Sequence, residues 1–148
     1  MQRRIAVRAV ILYQGKLLCV RLRPKADAPK NGTFWCTPGG GLDQGEALTA
    51  VLEREMLEET GVRPRIGNLL YIQQFHDGKA EQLEFLFHVE NAADYANIDL
   101  AATTHGVKEI AELEFVDPAA VHLLPTFLAQ TNIGADIAAG KTKYFNNL

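Results

Sequence analysis

Five charged residues in one short stretch, GGGLDQGEALTAVLEREMLEETGV over Gly39–Val62, have the types and spacing to do chemistry: Glu46, Arg54, Glu55, Glu58 and Glu59. On a helix that advances about 100° per residue, Glu55, Glu58 and Glu59 stand at i, i+3 and i+4 and converge on one patch. Leu48, Val51 and Leu52 fall near the same side, so Glu55 and Glu59 share the face that must pack. Glu53, Leu57 and Thr60 point away. A solvated helix with an i, i+4 pair between Arg54 and Glu58 accounts for Glu53 and Glu58, but it leaves Glu55 and Glu59 among apolar residues. A half-buried carboxylate without a counter-charge is costly, and like charges this close penalise the fully ionised state. A hard divalent cation relieves both. Mg2+ and Mn2+ take oxygen ligands and keep waters that a substrate phosphate can replace. Soft-metal ligands are absent from the helix, which argues against zinc. Gly39, Gly40 and Gly41, just ahead of the helix, let the backbone approach a cation or phosphate closely, although glycines there also serve a plain turn.

The elements that must position these residues can be read from periodicity. RIAVRAVILY and KLLCVRL are β-branched apolar runs separated by Gln14-Gly15, which predicts a hairpin. RPKADAPKNG is a loop, TFWCT a short strand and GGGLDQG a glycine-rich loop. Helical periodicity runs from about Glu46 to Thr60 and stops at Gly61. RIGNLLYIQQF and EQLEFLFHVE predict strands around the turn HDGK. NAADYANIDLAATTHGVKE has no clear period and reads as a long loop, followed by AELEFVD as a half-buried strand. DPAAVHLL, with Asp117 as N-cap and Pro118 at the first turn, predicts a short helix. PTFLAQTNIGADIAAG predicts a terminal helix weakened by Gly134. Strands interleaved with helices predict one α/β domain over residues 1–148 with a mixed sheet.

The totals exclude other classes. A chain of 148 residues with 47% hydrophobic and 22% charged residues is ordinary for one globular domain. From Gly40 to Val62 one base faces six acids, a local net of −5 in a chain whose net charge is −3. A weakly basic body carrying one acidic element favours a cation site over a nucleic-acid duplex, and no Lys/Arg run is long enough to track phosphates. Cys19 and Cys36 each sit in strand-like apolar runs and read as buried free thiols, which favours a reducing compartment. Arg8 interrupts the N-terminal apolar run, so a secretory signal is not expected, and no run approaches the ~20 residues of a membrane span. The expected location is the cytoplasm. The four histidines show no metal-ligand spacing, and Trp35 reads as core or groove wall.

Gly40, then five residues, Glu46, seven residues, Arg54-Glu55-Met56, one residue, Glu58-Glu59, one residue and Gly61-Val62 resembles the Nudix box, G-x5-E-x7-R-E-U-x-E-E-x-G-U, at every specified position. WCTPGG before it and EFVDPAAVHLLP after it extend the likeness over roughly residues 4–130. The resemblance implies an α/β/α sandwich with a mixed sheet and a loop-helix-loop catalytic motif. It implies hydrolysis of a nucleoside diphosphate linked to another moiety, with Mg2+ or Mn2+. Carried over by position, Glu55, Glu58 and Glu59 are expected metal ligands, with the Gly39 carbonyl as a further one. Arg54 is expected to orient the glutamates and Glu46 to support them. A later-loop carboxylate is expected at Glu109, with Glu112 next, and either Glu55 or Glu109 as the base. Arg21 and Arg23 are candidates for clamping a phosphate beside Gly40, against a reading as solvated surface charges. The resemblance is compatible with a homodimer. Asp77 to Lys79 contain neither the proline nor the tyrosine that marks some subfamilies, so base and sugar preference stay open. Sanitation of oxidised nucleoside triphosphates and a catalytically silent nucleotide-binding module are the alternatives. A Nudix-fold isomerase would need extra Cys/His ligands, which the sequence does not supply.

Overall fold

The computed structural model describes residues 2–22, 34–98 and 110–148. Two sheets form among these residues. The first has the order β10-β6-β7-β1-β5, built from β1 (Gln2–Val10), β5 (Gly39–Gly41), β6 (Ile66–His76), β7 (Ala80–Val89) and β10 (Lys143–Asn147). It is mixed, as expected. β1 runs parallel to β7, and β10 parallel to β6. β6–β7 and β1–β5 are antiparallel. The second sheet runs β2 (Leu12–Tyr13), β3 (Lys16–Leu22), β4 (Trp35–Cys36), β9 (Leu123–Leu124), with β8 (Ile110–Val116) paired to β3.

Both faces of the first sheet are covered. On one face, Val7 and Ala9 of β1, Ile11 just after it, and Phe87 and Val89 of β7 pack on Val51, Leu52 and Met56 of helix α1 (Leu48–Thr60). On the other, Val10, Tyr71 and Leu86 join Leu17, Cys19 and Trp35 of the second sheet and Phe127 and Ile133 near the end of the chain. Each large side chain removed from water contributes about 1.5–3 kcal/mol before the entropy cost of ordering the chain. Cys19 and Cys36 are buried free thiols, as read from the sequence. Burial pushes the Cys19 thiol up to about 12, so it is inert as a nucleophile.

The Gln14-Gly15 hairpin forms, with φ of 51° and 79° at its two turn residues, the left-handed pair that a two-residue turn between twisted strands requires. Helix α1 ends where expected, with Gly61 at φ 76° donating to the Leu57 carbonyl.

Three expectations fail. Gly39–Gly41 is not loop throughout but strand β5, paired to β1 through Gly39↔Arg8 and Gly41↔Ala6, so the helix starts later, at Leu48. DPAAVHLL is not a helix. Asp117 caps only a turn, accepting the Ala119 N–H at 3.0 Å, and Leu123–Leu124 leaves it as β9 because Trp35 and Cys36 offer a parallel partner. The expected terminal helix is divided into a 3-10 turn (Thr126–Ala129) and helix α2 (Ile133–Ala139), which Asn132 caps by accepting from Ala135 N–H. The chain then adds β10, a strand whose polar sequence carries no apolar alternation and which forms by pairing with β6. No helix among the described residues is long and apolar enough to cross a membrane.

Candidate active site

Helix α1 presents its charged residues by the same packing that anchors it. Leu52 and Met56 are fully buried, and Glu59 continues their stripe at 5% exposed. Glu53, on the far side, is half-buried and pairs with Arg63 at 2.5 Å.

Arg54 is the centre of the acidic group. Its Nε and Nη2 donate to Glu46 Oε2 and Oε1 at 3.0 and 2.9 Å, a two-pronged pair. Its Nη1 donates to Glu55 Oε1 at 3.1 Å and lies 3.6 Å from Glu58 Oε2. Glu46 in turn accepts the Asp43 N–H at 3.0 Å, which ties the loop to the helix. The hydrogen bond from Arg54 holds Glu46 below the usual carboxylate range, and the same bond raises Arg54. Glu55 is seated against β5. A Cβ at Gly40 would fall on the Glu55 carboxyl group, so only glycine admits that carboxylate beside the strand. Gly40 in turn is held opposite Val7 of β1.

As the side chains stand, no three His, Cys, Asp or Glu residues among the described residues converge into a metal cage. The cationic centre that Glu46, Glu55 and Glu58 share is the Arg54 guanidinium. The donor set on this edge is nevertheless all oxygen, and the Gly40 cradle brings a carboxylate against backbone. Both features suit a hard divalent cation and not a soft one.

On the other face of the sheet lies a cavity of about 410 Å³. Its floor is a buried polar group that the sequence reading passed over. Arg8 Nε donates to Glu84 Oε2 at 2.9 Å, Arg8 Nη1 to the Thr37 carbonyl at 3.0 Å, and Gln73 Nε2 to Glu84 Oε1 at 2.5 Å. Burial pulls the Arg8 pKa down, but the charge and hydrogen bond of Glu84, with smaller contributions from its other neighbours, carry it up overall. The signal was present in the sequence. Arg8 interrupts an apolar strand, and Gln82 and Glu84 alternate with Leu83 and Phe85 on β7. That alternation normally marks a solvated face, yet here it lines a cavity between the sheets.

The other site residues expected from the sequence are dispersed. Arg21 belongs to β3 of the second sheet, 3.3 Å from Glu112 and stacked over the Trp35 ring at 5.4 Å. Arg23 and Glu109 lie outside the described residues.

Fold and site together define an α/β domain in which a glycine strand seats a carboxylate of an acidic helix whose charges gather on one arginine. The NUDIX domain model matches residues 2–135, and the chain belongs to the Nudix family. It is 43% identical over 63 residues to "Nucleoside diphosphate-linked moiety X motif 6" of Xenopus laevis, a match over 43% of this chain and 27% of that relative's length. Among solved structures it resembles the ORF135 protein of E. coli (TM-score 0.70, 22% identity, 97% of this chain and 96% of that one). It also resembles the MutT protein of Methanosarcina mazei Go1 (TM-score 0.70, 22% identity, 95% and 97%). A UDP-X diphosphatase is similar at TM-score 0.67 and 21% identity, over 98% of this chain and 68% of that one. At these identities the structural likeness speaks to the fold.

Proposed function

We propose that the chain is a Nudix pyrophosphohydrolase that cleaves the diphosphate linkage of a nucleoside diphosphate joined to another moiety. The observation that carries this reading is the Arg54 group, with Glu46, Glu55 and Glu58 gathered on one guanidinium and Glu55 seated against Gly40. Glu55, Glu58 and Glu59, with the Gly39 carbonyl, are the residues that would hold Mg2+ or Mn2+. A divalent cation bound there would offset the diphosphate charge and lower the pKa of water at the site. The chain's own work is positioning and proton transfer. Arg54 restrains the glutamates, leaving one side of the Glu55 carboxylate committed to it, and Glu55 is the candidate to accept the proton of the attacking water. Glu109 is the second candidate for that role, and Arg21 and Arg23 are candidates to steady the departing phosphate. The substrate is a small molecule, and the proposed location is cytoplasmic.

The test is a panel of nucleoside triphosphates, their oxidised forms, ADP-ribose, nucleotide sugars and dinucleotides, incubated with Mg2+ and assayed for phosphate release. Turnover on at least one member is expected, with Glu59→Gln lowering kcat about a hundredfold or more, in the range for removing a group that acts on transition-state charge. No turnover on any member, with Glu59→Gln indistinguishable from the parent, would sink the reading.

A further inference from the structure

Successive residues of β5 serve opposite faces of the first sheet. A Cβ at Gly40 would fall on the Glu55 carboxyl group, on the side of helix α1. A Cβ at Gly41 would meet Arg4 instead, with Nη2 at 3.6 Å and Nε at 3.9 Å. Arg4 also lines the cavity, so its guanidinium lies on the cavity side of the same glycine strand. That strand is fixed against β1 by the pairing of Gly41 with Ala6 and by the Leu42 N–H, which donates to the Ile5 carbonyl at 2.9 Å. β5 is the last strand of its sheet, and neighbouring Cα atoms are only about 3.8 Å apart. A ligand lying over this edge meets a carboxylate on one side and a guanidinium on the other.

Arg4 differs from the other arginines of β1 in being uncommitted. Arg3 pairs with Glu81 and Arg8 with Glu84. Arg4 stands in register with Gln82, a neutral residue, and has no hydrogen-bond or ion-pair partner among the described residues. The acid on the same cavity wall is already engaged. Asp77 accepts the Lys79 and Ala80 N–H groups at 2.8 Å each and the Gln82 amide at 2.9 Å. Arg21, a phosphate candidate read from the sequence, is drawn to Glu112 and the Trp35 ring in the second sheet. An exposed guanidinium without a carboxylate suits an anion brought from outside, and its planar fork matches two phosphate oxygens.

Resting on the proposed diphosphate chemistry at Glu55, we propose that Arg4 is a substrate-binding residue that holds a phosphate of the diphosphate at the edge of β5, across the strand from the seat of Glu55. The glycines of β5 then serve both sides of one ligand. Gly40 admits the carboxylate, and Gly41 leaves the guanidinium room beside the strand.

Calorimetry with methylenediphosphonate, a diphosphate analogue that water does not cleave, tests this in the presence of Mg2+ and without turnover. Arg4→Gln should weaken binding about tenfold, in the range of one charge-assisted hydrogen bond. Arg4→Lys keeps the charge but loses the fork, and its affinity should fall between those of Arg4→Gln and the parent. Arg3→Gln is the control. It removes an equal charge one residue away on the opposite face of β1, and it should change binding by less than about twofold because only a screened, long-range effect remains. Arg3 and Arg4 are both exposed, so thermal melts of the variants should stay within a few degrees of the parent. No binding by the parent, or equal affinities of Arg4→Gln and Arg3→Gln, overturns the proposal. A parent chain that binds the analogue through Arg4 yet hydrolyses nothing on the panel overturns the hydrolase reading alone. Turnover on the panel with kcat and KM unchanged in Arg4→Gln overturns this one alone.

Discussion

The two faces of the first sheet solve the same packing problem in opposite ways. Toward helix α1 the strands present Val7, Ala9, Ile11, Phe87 and Val89, all apolar. Toward the cavity, residues one step along the same strands place Arg8, Gln82 and Glu84 in the interior. The first face needs only volume and hydrophobicity. The second holds a buried charge pair, whose desolvation cost is offset only while both partners and the Gln73 and Thr37 bonds are present. Polar groups kept inside a protein at that cost point to a working surface, and the apolar face holds that surface in place.

Substitutions of similar size on the two faces give the largest contrast. Arg8→Met leaves the Glu84 carboxylate buried beside Gln73 alone, and a loss of about 3–5 kcal/mol is expected. Arg8→Met/Glu84→Met should recover most of that loss, since removing both members of a buried pair is close to neutral. Met56→Leu, on the α1 face, conserves volume and should cost less than about 1.5 kcal/mol. Urea unfolding of the four proteins decides the matter. Equal losses for Arg8→Met and Met56→Leu would mean that the cavity face is as tolerant as the other.

The adjacent glycines of β5 separate stability from function on one strand. A Cβ at Gly39 meets the Val7 backbone, and φ there is +147°, so Gly39→Ala should weaken the β1–β5 pairing and lower Tm. The nearest atoms to a Cβ at Gly40 are those of the Glu55 carboxyl group, the end of a side chain and not backbone. Gly40→Ala should therefore lower kcat about tenfold or more while Tm changes by a few degrees at most. Steady-state kinetics on any substrate the panel identifies, paired with thermal melts, would expose the reverse pattern if it held.

The smallest expected effect lies at the apolar end of the cavity face. Asp136 accepts from Tyr71 at 2.6 Å and Thr131 at 2.5 Å and pairs with Lys143 at 2.6 Å. Burial pushes its pKa up, but these three bonds prevail and hold it below the ordinary value. A depressed folded pKa contributes stability that is fully present above the unfolded value of about 3.9 and is lost as pH falls through the folded value. Acid unfolding of the parent should thus be steeper below pH ~4 than that of Asp136→Asn, which lacks this titration. Superimposable acid limbs would remove Asp136 from the account.

The acidic helix was legible because its rules are local. A 3.6-residue period sorts Glu53 outward and Glu59 inward without knowledge of the rest of the chain, and Gly61 stops the helix by its own backbone freedom. The fold class was legible for the same reason, since alternating runs and turn residues declare strands and hairpins. The strand character of Gly39–Gly41, β9 and β10 was not. Each exists because a partner strand supplies hydrogen bonds, and partners are not written in the local sequence. The cavity was missed on the same ground. Gln82 and Glu84 on β7 carry the alternation of a surface strand, and only the second sheet lying over them turns that surface into an interior.

The sequence by itself determined the chemistry at the helix: which carboxylates share a face, which arginine stands among them and which glycines precede them. Covalent spacing and helical geometry decide those matters. The tertiary structure alone decided that Gly40 is the seat of Glu55, that Arg54 is the charge at the centre of the group, and that Arg8, Gln82 and Glu84 line a cavity. These depend on residues far apart in the chain meeting across strands, and that meeting is set by sheet pairing and burial rather than by any local period.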